Sequence, residues 1–173
     1  MPSRINIAGH PLHPMLVAYP VTGYTGTLVA FAVYGASGDQ FWLNLAIAMN
    51  VAGVGGALLA AMPGLADAVY GIPNRTAARN VAQAHGALNV LALVLFAITL
   101  GRYAAHWNGP PVSAVLGIVL ASVGVVTTAA AGFLGWILVQ DYHMGVRLTE
   151  EQRAAEAEVV NHQVIHMPRR HAA

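Results

Sequence analysis

Two histidines three positions apart, His10 and His13, each followed by proline, open the first long apolar stretch of this 173-residue chain. His85 stands inside another apolar stretch, with Asn89 four residues later on the same helical face. Asp67 follows Pro63-Gly64 at the end of a third, and Asp141 and His143 follow a fourth. Neutral imidazole ligates Zn, Fe and Cu through one ring nitrogen. The chain has no cysteine, which removes disulfides, thiolate metal sites, iron–sulfur ligation and c-type haem attachment together. It has no lysine either, so Schiff-base and P-loop chemistry are excluded, and no nucleophile elbow or dinucleotide fingerprint is present. Histidine and carboxylate must supply every side-chain ligand.

Three readings follow. In the first, haem b is held by two histidines from facing helices, with His13 and His85 the expected pair and His10 and His143 further candidates. Arg75, Arg79 or Arg4 would meet the propionates. Small residues such as Gly23, Gly26, Gly53, Gly55, Gly56, Gly86, Gly132 and Gly135 would wall a flat macrocycle, or else serve ordinary helix packing. In the second, a non-haem Fe, Zn or Cu ion is bound by His10, His13, His85 and Asp67. In the third, the chain is a non-catalytic scaffold or assembly subunit whose histidines only order the helix ends.

The elements that must position these residues are legible from charge. Only 9% of residues are charged and 57% are hydrophobic, whereas a soluble domain carries about a quarter charged. Residues 15–36, 41–66, 80–101 and 110–140 contain no Asp, Glu, Lys or Arg. Each run reaches the roughly 20 residues needed to cross a ~30 Å hydrocarbon core. The expected fold is all-α: an integral membrane four-helix up-and-down bundle over 1–146, with spans near 14–36, 41–65, 79–100 and 112–142. Residues 147–173 form a polar tail, in which Thr149 and Gln152 read as the capping box of a short helix from Glu150 to about Val160. Pro20 should kink the first span, and Pro63-Gly64 should end the second. No cleavable signal peptide and no obvious internal repeat stand out. A soluble enzyme and a nucleic-acid partner are excluded, the latter by a net charge of +1 without a basic cluster.

Up-and-down folding brings His10, His13, Asp67, His85 and His143 to one end and His106 to the other. Plainer readings stand beside the chemical ones. His10 caps a helix, Asp67 is a loop or N-cap residue, His143 lies among lipid headgroups, and His162, His166 and His171 are solvated. Asn44, Asn50, Ser122, Thr127 and Thr128 are expected to hydrogen-bond across helices. Every arginine except Arg102 falls on the histidine side, so by the positive-inside rule both termini face the cytoplasm.

The tract His10-Pro-Leu-His13-Pro-Met-Leu-Val, Pro63-Gly-Leu-Ala-Asp67 and His85-Gly-Ala-Leu-Asn89 resemble a bacterial membrane family catalogued as domain of unknown function 2231, over about Gly9 to Val146. The resemblance implies a four-helix protein of the bacterial inner membrane without an agreed activity. Its motif positions are His10, His13, Asp67, His85 and Asn89. Relatives joined to Rieske iron–sulfur or c-type cytochrome domains imply a redox partner protein at the membrane. An apolar bundle open to lipid would also admit quinone, and a homo-oligomer or a place in a larger membrane complex is the expected assembly. Relatives often close span four with Gly-Gly, an aromatic and a His-Gly pair. Gly132-Phe-Leu-Gly135 and Tyr142-His143-Met144-Gly145 match that pattern loosely.

Overall fold

The computed structural model describes residue 3 and residues 5–146 and 148–166. Its four apolar helices are each long enough to cross a membrane: Leu12–Ser37, Gln40–Gly71, Ala77–His106 and Val115–Gln140. The first is interrupted at Val17, giving α1 (Leu12–Leu16) and α2 (Ala18–Ser37). Pro20 has no N–H for the Leu16 carbonyl and its ring crowds that oxygen, so the break falls one turn before it. α3 spans Gln40–Gly71, α4 Ala77–Tyr103 with a short 3-10 turn at Ala104–His106, and α5 Val115–Gln140. A further helix, α6, covers Glu150–His166. Its capping box is formed, with Gln152 N–H donating to Thr149 Oγ1 and Thr149 N–H to Gln152 Oε1. Arg4, Arg147, His171 and the last two arginines lie outside the described residues, as do the side chains of His162 and His166.

Each turn has a local cause. Gly38 closes α2 in the left-handed region at φ +69, where a side chain would be strained. Asp39 then caps α3 by accepting from Phe41 N–H at 2.9 Å. Thr76 caps α4, its hydroxyl accepting from Arg79 N–H at 3.2 Å. α3 does not end at Pro63-Gly64 as expected. It runs on to Gly71 with Pro63 buried inside it, because neighbouring helices in a membrane bundle tolerate the lost hydrogen bond.

The helices form two antiparallel hairpins, α2–α3 and α4–α5, which pack on each other. Aromatic pairs join the hairpins through the middle. Tyr24 stacks on Phe96 at 3.7 Å between ring centres, with the planes 1° apart. Phe31 meets Tyr103 edge to face at 4.6 Å. At the end away from the histidines, Tyr103 Oη donates to Ser113 O and accepts from Gly117 N–H, and Tyr34 Oη donates to Val112 O. These bonds hold the loop before α5. Asn50 donates to Phe96 O across helices, and Asn44 donates to Asn108 Oδ1. Thr127 and Thr128 instead bond back to Val123 O and Gly124 O in their own helix. A hydroxyl reaches the carbonyl four residues back more easily than a neighbouring helix.

Candidate functional site

His13 and His85 are brought together. Their ring centres are 6.1 Å apart and their planes 89° apart. His13 stands in α1, immediately before the break at Val17, and His85 stands two turns into α4. Each ring is held in the same way by the other helix of its own hairpin. His13 Nδ1 lies 2.8 Å from Ala60 O of α3, and His85 Nδ1 lies 2.8 Å from Ala131 O of α5. A carbonyl only accepts, so each Nδ1 carries a proton, and in the neutral ring Nε2 is the atom with the lone pair. One turn beyond each carbonyl is a glycine. A Cβ on Gly64 would stand 2.7 Å from His13 Nδ1, and one on Gly135 would stand 3.1 Å from His85 Cε1. These two glycines are seats for the imidazoles.

The remaining candidates lie around this pair. Asn89 is exposed. Its amide nitrogen is 2.8 Å from His85 O and 3.2 Å from His85 Nε2. His10 does not share a helix face with His13. It is extended and exposed in a two-residue strand (His10–Pro11, β2) that pairs antiparallel with Asn6–Ile7 (β1). Proline after His10 favours that extended backbone, and the turn Ala8-Gly9 has both residues at positive φ. Asp67 accepts a 2.7 Å bond from Ser3 Oγ, which ties the N-terminal segment to α3. Arg79 Nη1 donates to Ala68 O, while Arg75 lies exposed at φ +61 in the link between hairpins. His143 follows α5 at φ +51, half-buried. Among the described residues, no three His, Asp or Glu side chains stand close enough to share a metal ion. The set His10, His13, His85 and Asp67 is therefore not gathered, and the imidazoles of His13 and His85 are.

A family model described as predicted membrane protein, domain of unknown function 2231, matches residues 9–148. The chain belongs to that family. The match takes in both histidines, both carbonyls and both glycine seats of this domain of unknown function 2231 protein. No curated protein and no solved structure matches the chain.

Sequence reasoning offered helix packing for the glycines but missed the two that seat the imidazoles. Gly23 and Gly53 lie at the α2–α3 crossing, where a Cβ on Gly23 would meet the Gly53 backbone at 2.5 Å. Gly55, Gly86 and Gly132 have nothing within 4 Å of where a Cβ would be. Most of the supposed walls of a flat cofactor are helix contacts or face outward. The signal that would have found the seats is spacing: Ala60 and Gly64, like Ala131 and Gly135, are one turn apart. An open groove of about 500 Å³, bordered by Thr22, Gly26, Val29, Trp42 and Met49, lies along α2 and α3. None of the histidines borders it.

Proposed function

We propose that this domain of unknown function 2231 protein binds haem b through His13 and His85 and serves as an electron-transfer protein or redox subunit of the bacterial inner membrane. One observation carries the reading: two imidazoles from different helices meet, each with Nδ1 engaged by a backbone carbonyl. Haem-ligating and metal-ligating histidines are fixed in this way, since a bond at one nitrogen sets the tautomer and presents the other. Ring centres 6.1 Å apart are close enough for both imidazoles to hold one metal-centred group.

Haem b would supply a one-electron couple. The chain's own residues do the rest. The carbonyls of Ala60 and Ala131 would fix the orientation of the two imidazoles. Asn89 holds His85 Nε2 at 3.2 Å and must release it for ligation, which makes it a positioning residue. Arg79 and Arg75, beside the histidine end, would be the cations for propionates, and His10, Asp67 and His143 border that end. The same arginines support the orientation with this end in the cytoplasm, because Arg102 alone of the described arginines in the span-flanking segments lies at the other end. The electron partner would be a redox protein or a quinone.

The test is haem and metal analysis of the full-length protein purified from membranes. About one haem b per chain, lost in His85→Ala, is expected. A stoichiometric transition metal without haem would favour a non-haem site. The absence of both would leave the scaffold reading.

A further inference from the structure

The three ring pairs that join the hairpins share one separation. His13 and His85, Tyr24 and Phe96, and Phe31 and Tyr103 each stand 72 positions apart. Thr27 and Thr99 keep the same interval. Both are fully buried, and both donate to the carbonyl four residues back. The second helix of each hairpin repeats at 71 positions. Ala46, Asn50, Gly53 and Ala60 are buried in α3, and Gly117, Ala121, Gly124 and Ala131 are buried in α5. Functions correspond as well as burial. A Cβ on Gly53 would strike the Tyr24 ring at 2.6 Å, and one on Gly124 would strike the Phe96 ring at 2.5 Å. Ala60 and Ala131 hold the two Nδ1 atoms, and Gly64 and Gly135 seat the two rings.

In a two-fold arrangement a residue meets its own counterpart only at the axis. The three ring pairs ascend together along α1–α2 and α4, so those helices are parallel and the axis runs along the bundle between them. From His13 to Phe31 is roughly 27 Å of helix at ~1.5 Å per residue, most of a ~30 Å hydrocarbon core. Parallel repeats about an axis along the membrane normal are a known way to build a membrane domain.

We propose that the four-span domain is a tandem duplicate of one two-helix hairpin, and that its ligand sits on the resulting two-fold axis, with His13 and His85 as equivalent partners of that one ligand. The identity of the ligand rests on the haem reading, whereas the equivalence of the histidines does not. A ligand on the axis must present the same chemistry to both imidazoles. An iron held between them would offer each imidazole the same bond. A cation requiring three unlike side chains would not. Next to the site, Asn89 occupies the position that is Val17 in the first copy.

The test is nitrogen NMR of the full-length chain in lipid nanodiscs, with ¹⁵N-labelled histidine and reduced iron protoporphyrin as the probe. Both histidines should carry the proton on Nδ1. Gly64→Ala should shift His13 signals and leave His85 unmoved, and Gly135→Ala should do the reverse. The probe should shift both Nε2 signals at the same stoichiometry. If it shifts neither while the tautomers match, the haem reading falls and the equivalent pair stands. Opposite tautomers, or a probe that shifts one histidine alone, would overturn the proposal. The wild-type tautomers decide the matter where a glycine variant fails to assemble.

Discussion

The first hairpin and the second agree where the backbone is crowded and differ where a side chain has room to choose. Gly53 and Gly124 both leave space for an aromatic ring, and Ala60 and Ala131 both present a carbonyl to an imidazole. At the mid-membrane level the copies part. The first carries Tyr24 and Asn50, and the second carries Phe96 and Ala121. Among the described residues, Tyr24 Oη and Asn50 Oδ1 are buried with no hydrogen-bond partner. The shared features build the bundle and hold the rings. The unshared polar atoms cost stability and belong to one copy only, so they are where the copies have specialised.

Substitutions at matched positions test how alike the two hairpins are. The largest effect is expected at the imidazoles. His13→Ala and His85→Ala should each abolish haem content while the chain still inserts, and haem per chain in purified protein measures it. Retention of full haem in either variant would break the equivalence. The aromatic pair comes next. Phe31→Ala should cost about 3 kcal/mol by loss of buried ring contacts, read from unfolding in mixed micelles. Tyr103→Ala should cost more, because its hydroxyl also bonds Ser113 O and Gly117 N–H. Tyr103→Phe isolates that share at about 1 kcal/mol.

A smaller effect of opposite sign is expected at Tyr24. Tyr24→Phe makes the first copy like the second and removes a buried hydroxyl without a partner. It should leave stability unchanged or raise it by about 1 kcal/mol. A loss of that size would show that the hydroxyl has a partner in the membrane. The smallest effect belongs to His106→Ala. His106 lies at the other end, with Nδ1 3.1 Å from Pro110 O, and haem content should not change.

Much of the fold was legible because charge is excluded from a bilayer. The charge-free runs coincide with the four long apolar helices, and the Thr149–Gln152 pair marked the start of the last helix. Helix ends were less legible. Pro63-Gly64 reads as a stop in water, yet α3 continues to Gly71. His10 and His13 both precede proline, yet His10 is extended in a strand and His13 is helical, so the bias before proline holds for the first alone. The pairing of His13 with His85 was legible from depth and side alone. The duplication was not. Its copies keep burial and spacing while exchanging Tyr for Phe, Asn for Ala and Ala for Gly, so few identities survive along the chain. Only contacts between counterparts expose it.

The most direct test is the reduced-minus-oxidised absorbance spectrum of the full-length protein in native membranes, recorded beside His13→Ala and His85→Ala. The account predicts sharp α and β bands of a low-spin b-type haem in the parent, lost in both variants. A parent spectrum without those bands, or one that survives either substitution intact, would contradict it.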